Sequence, residues 1–134
     1  MNIPPRKILL YHPHKEERGK IAIMLTRFGH SVLFAKGLKS QEISPDDHDL
    51  IIVNEYLSYG SGLVFLHNFS ETNRAKTLFL SSGSDEEREL CRDSMGIFEC
   101  MENPVKPIEI AVVVCDFFIS RISEENQLVS FDCQ

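Results

Sequence analysis

The sequence predicts an α/β domain: a doubly wound, five-stranded parallel sheet covered by five helices. Three observations carry the prediction. Short apolar runs suited to strands buried on both faces recur along the chain, segments with helical spacing lie between them, and Gly, Pro and capping residues punctuate the joins. The 134 residues make one domain's worth of chain, enough to bury roughly two-thirds of the unfolded surface around a single core.

Residues 7–11, KILLY, form an apolar run bounded by His12, Pro13 and His14, which fits a central strand. From Lys15, the residues Ile21, Leu25 and Phe28 follow at helical spacing and the pattern stops at Gly29, a natural C-cap. HSVLFAK (30–36) reads as the second strand, GLKSQEISP (37–45) as a short helix broken at Pro45, and DLIIVN (49–54) as the third strand. After EYLSYGSG (55–62), a Gly- and Ser-rich loop, LVFLHNFSE (63–71) gives the third helix and AKTLFLSS (75–82) the fourth strand. Ser84 and Glu87 stand at capping-box spacing and Gly96 closes the same segment, so 84–96 is a helix punctuated at both ends. IFECME (97–102) is the fifth strand, and Pro107 opens a last helix expected to run to about Ser123. The expected boundaries are therefore a domain over 6–123 and a polar stretch, 124–134, serving as a tail or the start of a linker to an output domain.

A formal net charge of -6 and a pI near 5.3 argue against direct nucleic-acid binding, which rests on clustered Lys and Arg. PIEIAVVVCDFFISRI carries Glu109, Asp116 and Arg121 and is too short and too charged to span a bilayer, and the N-terminus has only a short apolar core flanked by His and Glu, without the long h-region or small-residue cleavage site of a signal peptide. A cytoplasmic location is expected. Cys91, Cys100, Cys115 and Cys133 lie far apart with no CxxC pair, so they suit neither a zinc knuckle nor a redox motif and read as reduced packing residues, with Cys133 in the tail.

In an open parallel sheet, ligands sit outside the carboxyl ends of the strands. That directs attention to YHPH after the first strand, the loop after the second, NEY after the third, SSGS after the fourth and ENPVKP after the fifth. YHPHKEERG is bulky and acidic where a dinucleotide or flavin site needs a glycine-rich or Ser/Thr-rich loop, which argues against a nucleotide enzyme. His12 and His14, with Glu55 or Asp85, have the chemistry of a zinc or nickel site. Nothing in the spacing fixes a third ligand, and the plainer reading is a surface loop around Pro13. Asp46 and Asp47 precede the third strand, at the opposite end of the sheet, where a turn with Pro45 accounts for them.

Over essentially residues 6–123 the chain resembles the receiver domain of two-component response regulators, of the chemotaxis-regulator type. The likeness rests on element order, on HDLIIVNEYLSYGSG with Gly62 in the family's glycine position, and on GIFECMENPVKPIEI. It implies a flavodoxin-like sheet with strand order 2-1-3-4-5. Receivers of this family accept a phosphoryl group on an aspartate ending the third strand, with Mg²⁺ held by that carboxylate and an acidic pair after the first. A Ser or Thr after the fourth strand and a Lys after the fifth hold the phosphoryl oxygens.

Here the corresponding residues are Asn54 for the acceptor, His12 and Pro13 for the acidic pair, and Ser81 for the hydroxyl. The lysine place falls on Asn103, followed by Pro104, in one register and on Lys106 in the other; Asn103 is preferred because it leaves Pro107 in the first turn of the last helix. On that register only Ser81 keeps its family chemistry, and a serine at a strand end also serves plain backbone capping. Asn54 then makes physical sense, since an amide is neutral and can satisfy itself where a carboxylate would be a buried unpaired charge. The expectation is a degenerate, non-enzymatic receiver with no catalytic residue, no metal and no cofactor.

In the last helix, Ile108, Ile110, Ala111, Val112, Val113, Val114, Cys115, Phe117, Phe118 and Ile119 go most of the way around, so part of it should be a contact face. Ile110, Val114, Phe117 and Phe118 are taken as that face, for a homodimer or a partner signalling protein. The resemblance points the same way, because receivers use the fourth helix, fifth strand and fifth helix as an output surface. The expected function is phosphorylation-independent protein–protein contact in signal transduction. The alternatives are a small-ligand or metal sensor near His12, Asn54 and Ser81, and a residual phosphoacceptor at Glu55 or a deamidated Asn54.

Overall fold

A computed structural model describes the chain over residues 5–35 and 44–132, with side-chain surroundings through Ile122. Strands β1 (Lys7–Tyr11), β2 (Ser31–Phe34), β3 (Leu50–Asn54), β6 (Thr77–Ser81) and β7 (Glu99–Glu102) form one parallel sheet in the order β2-β1-β3-β6-β7. Counting sheet strands alone, that is the expected order 2-1-3-4-5. Two further strands, β4 (Tyr56–Leu57) and β5 (Gly60–Ser61), pair antiparallel as a small ribbon within the segment expected to be loop.

Alternate residues of each strand go to opposite faces and build two cores. Ile8, Leu10, Leu50, Ile52, Leu78 and Leu80 pack under helices α1 (Lys15–Arg27) and α5 (Pro107–Asp132). Leu9, Tyr11, Ile51, Val53, Phe79 and Cys100 face the other way, toward Leu66 of α2 (Gly62–His67), Phe69, and Cys91 and Met95 of α4 (Asp85–Met95). Central strand β3 is buried along its whole length, which is why its sequence is a run of apolar residues rather than an alternation.

Punctuation decides the helix limits. The single helix expected over 63–71 is two, α2 and α3 (Glu71–Ala75), because Asn68 closes the first and the Ser70 hydroxyl accepts the Asn73 N–H to start the second. Ser84 and Glu87 form the capping box of α4, and Gly96 ends it in the left-handed region at φ 66°. The short helix expected over 37–45 falls mostly outside the described residues; Pro45–Asp47 form one 3₁₀ turn. Helix α5 does not stop near Ser123 but continues to Asp132, and the sequence beyond Pro107 contains neither Gly nor Pro to break it.

The contact face assigned from sequence requires correction. Ile110, Val114, Phe117 and Phe118 are all buried against the sheet, α1 and the residues preceding β1. They are the stripe that holds α5 on the fold, and the exposed apolar residues of the helix are Ile108, Val112 and Ile119. An apolar composition shows that a helix has two apolar sides; it does not say which one meets the sheet.

Candidate functional site

The carboxyl ends of β1, β3, β6 and β7 bring together four of the five predicted pocket residues as hydrogen-bonding groups. Asn54, at the end of β3, is 4 % exposed. Its Nδ2 donates to the Tyr56 carbonyl at 2.9 Å, and its Oδ1 accepts from Asn103 Nδ2 at 3.0 Å. Asn103 Nδ2 also faces the Leu80 carbonyl at 3.2 Å and Glu55 Oε1 at 3.4 Å. The geometry decides the register left open by sequence: Asn103, not Lys106, sits beside the end of β3, and Lys106 is exposed on the loop leading to α5. The Asn54 amide thus has both its oxygen and its nitrogen engaged, by Asn103 and by the Tyr56 carbonyl, which lets an uncharged polar group be buried at little cost.

The local backbone explains how Asn54 is held. Gly62 packs so closely on the end of β3 that an added Cβ would overlap the Asn54 carbonyl oxygen, and its N–H donates to the Glu55 carbonyl at 2.8 Å. Only glycine allows that approach. The β4–β5 ribbon is thereby folded back across the site, carrying Leu57, Ser58 and Tyr59 with it.

His12, immediately after β1, is buried, and both ring nitrogens are engaged. Nδ1 accepts the His14 N–H at 3.1 Å, which places the proton on Nε2, 3.3 Å from Glu17 Oε2. Burial lowers the His12 pKa; Glu17 opposes that shift, while His14 and Arg18 reinforce it. Pro13 contributes a ring to the wall and no donor or acceptor side chain. Ser81 Oγ accepts the Gly83 N–H at 3.1 Å and so caps its own loop. Glu55, at the mouth, accepts from the backbone N–H and the hydroxyl of Ser82 at 2.8 and 3.0 Å.

These donors do not suit magnesium. A hard divalent ion needs several oxygen ligands with negative charge. Here the Asn54 oxygen is neutral and occupied, both His12 nitrogens are engaged, and Pro13 offers nothing. His14, exposed, stands edge-on to His12 rather than beside it on a common point. Among the described residues no group of three or more His, Cys, Asp or Glu is placed to hold a metal ion.

A cleft of about 310 Å³ opens next to the pocket, lined by Tyr11, His12, Pro13, Arg18, Leu57 and Tyr59 among others. Burial, with Tyr59 nearby, pushes the Tyr11 hydroxyl up to about 12. Sequence reasoning missed this wall. Its one legible trace was the GSG after Tyr59, which marks the tight return of the ribbon. A second polar cluster, also missed, lies at the other end of the sheet. There Lys76 Nζ donates to the Pro45 and His48 carbonyls at 2.9 and 2.6 Å, and Asn73 Nδ2 donates to Asp46 Oδ1 at 2.8 Å.

The structure is similar to known receivers throughout. A CheY-like response regulator receiver domain protein from Methanospirillum hungatei superposes with a TM-score of 0.71 at 14% identity, covering 90% of this chain and 98% of that one. A Thermotoga maritima response regulator, an OmpR/PhoB homologue, gives 0.72 at 19% identity, over 87% of this chain and 54% of that one. A redox sensor of the streptococci, evolved from two-component response regulators, gives 0.73 at 20% identity, over 91% of this chain and 55% of that one. No family model matches the sequence, and no curated protein matches it. At these identities the likeness establishes the fold: the chain has the CheY-like architecture of response regulator receiver domains. No helix among the described residues is long and apolar enough to cross a membrane.

Proposed function

We propose that the domain is a degenerate receiver that acts in signal transduction by protein–protein contact, without accepting a phosphoryl group. The observation that carries this reading is the amide pair. Asn54 ends β3 at the position that the resemblance to receivers gives to the acceptor carboxylate, and its oxygen accepts from Asn103, at the position the resemblance gives to the lysine. Phosphoryl transfer to a side chain needs an anionic oxygen free to attack and positive charge to receive the transferred group. An amide–amide pair supplies neither. With the input site closed, the fold serves as a binding surface whose state is set by partners rather than by phosphorylation.

Incubation with acetyl phosphate and Mg²⁺, followed by intact-protein mass measurement, tests the reading. Unchanged mass is expected. A phosphoryl adduct that survives Asn54→Ala and disappears in Glu55→Gln would instead make Glu55 an acceptor and overturn it.

The cleft beside Tyr11 and Tyr59 supports a second reading, that of a small-ligand sensor. Its mixed walls, aromatic and apolar side chains interleaved with His12 and Ser58, and the one guanidinium, from Arg18, suit a small organic anion. A rise in melting temperature with aromatic carboxylates, abolished by Arg18→Ala, would support it.

A further inference from the structure

At the amino end of the strands, opposite the closed pocket, two polar side chains meet an apolar groove. The parallel register sets Lys7 of β1 beside Ser31 of β2, and the Arg6 carbonyl accepts the Ser31 N–H at 2.8 Å. Arg6 and His30, one place outward, therefore stand side by side, and both reach the ring of Phe118 on α5. The guanidinium carbon of Arg6 lies 5.5 Å from the centroid of that ring, and the centroid of the His30 ring lies 5.3 Å from it. Arg6 Nε and His30 Nε2 are shut off from solvent, and neither has a hydrogen-bond partner among the described residues. No carboxylate of the described residues pairs with either side chain.

A guanidinium is a permanent cation, and a buried donor without an acceptor is destabilising. Stacking on Phe118 offsets part of that cost but accepts nothing from Nε. Burial and the neighbouring Arg6 charge both push the His30 pKa down, the direction expected where cationic groups crowd together without an anion.

The same two side chains line a groove of about 210 Å³ whose other walls are Phe28 and Gly29 at the end of α1, with Cys115, Phe118, Ile119 and Ile122 of α5. Cys115, Ile119 and Ile122 follow at steps of four and three residues, a single stripe along about 10 Å of helix. Ile119 is 60 % and Phe28 48 % exposed, so apolar wall is left open to solvent. An apolar cavity of about 150 Å³ suffices to hold benzene, which makes this volume ample for a small apolar body.

We propose that the groove binds a medium-chain aliphatic carboxylic acid, its carboxylate between Arg6 and His30 and its chain along Cys115, Ile119 and Ile122. The unpaired guanidinium selects an anionic head, because a carboxylate accepts from Nε and a neighbouring guanidinium nitrogen side by side. His30 adds a donor in the tautomer that carries its proton on Nε2. The apolar walls select the tail, and a straight chain follows the stripe from one turn of α5 to the next. Binding there ties the end of α1, the start of β1 and α5 together around one ligand. The site is separate from the closed pocket and from the cleft beside Arg18.

A nitrogen–proton NMR titration of the whole chain with octanoate, kept below its micelle concentration, tests the proposal. Octanol carries the same chain without the charge, and acetate the charge without the chain. The expected result is saturable binding of one octanoate per chain, with shifts at Phe28, Gly29, His30 and Ile119, and about tenfold or more weaker binding of octanol and of acetate. Arg6→Met keeps an unbranched stem and removes the guanidinium, and should weaken octanoate by about tenfold or more. Ile119→Glu changes an exposed position, leaves the circular dichroism intact and sets a carboxylate on the rim; it should weaken octanoate similarly.

Shifts that never saturate overturn the proposal, as does octanol binding as tightly as octanoate, which would mean apolar partition without recognition of charge. Shifts at Tyr11 and Tyr59 instead would put the acid in the other cleft and overturn it too. Movement of the Phe28 and Ile119 resonances with protein concentration alone, without octanoate binding, would make a second copy the occupant, with the same consequence. The closed-pocket reading fails on the separate result of phosphoryl uptake, so the two can be lost independently.

Discussion

The two ends of the sheet treat buried polar groups in opposite ways. At the amino end of the strands a cation is held in burial: Lys76 is 7 % exposed, its ammonium donates to the Pro45 and His48 carbonyls, and burial pushes its pKa down while Asp46 and Asp49 oppose that shift. At the carboxyl end, where the fold concentrates its chemistry, Asn54 and Asn103 hold each other as neutral amides and His12 is kept neutral by burial. The lesson is that a buried charge persists here where it ties a turn to the sheet, and is missing where it would need a metal or a counter-charge the site does not offer.

Gly62→Ala is expected to break the carboxyl end most severely. Its Cβ would overlap the Asn54 carbonyl oxygen, a backbone atom that cannot swing aside, and a loss of about 3 kcal/mol or more should appear in urea unfolding. Lys76→Met attacks the other end by leaving two carbonyls without their donor. A loss of about 2 kcal/mol is expected, with the carboxyl-end pocket undisturbed when probed by amide hydrogen exchange.

Asn54→Asp should cost less, about 1 to 2 kcal/mol at neutral pH, because it places a carboxylate in a desolvated site facing Glu55. The direction with pH follows. A carboxyl whose folded pKa is raised contributes stability below the unfolded value of about 3.9 and loses it as pH rises, so the variant should approach the parent in acid and fall away from it in base. Adding Asn103→Lys should recover part of the loss at neutral pH.

The smallest effect is in the parent itself. The lowered pKa of His12 means that its stability contribution is present above the ordinary value of 6.5 and is lost as pH falls below it. His30, likewise lowered by burial and by Arg6, adds to the same slope. Thermal unfolding between pH 7.5 and 5 should show a falling midpoint, and His12→Gln should make the fall shallower without abolishing it.

Much of this was legible in the sequence because local signals and the fold agree. The apolar run of β3, the Ser84 and Glu87 box and Gly96 each act within a few residues and each appears where expected. Asn54 and Asn103 could be brought to one site from sequence only through the resemblance to receivers, which left Lys106 as the alternative to Asn103; their hydrogen bond became visible only in the fold. Other features depend on contacts across the fold. Lys76 reads as an ordinary residue before a strand until Pro45 and His48 are seen beside it. The face of α5 was misassigned for the same reason, since Phe117 and Ile119 differ in burial but not in apolar character.

The claim that matters most is that the carboxyl end is closed to the phosphoryl group. The most direct measurement is a nitrogen–proton NMR spectrum recorded before and after adding Mg²⁺ with beryllofluoride, which mimics a phosphoryl group on a carboxylate. The account predicts that the resonances of Asn54, Glu55, Ser81 and Asn103 stay where they are. Saturable shifts confined to those residues would contradict it, because they would show that the pocket still recognises the metal and the phosphoryl shape despite its paired amides.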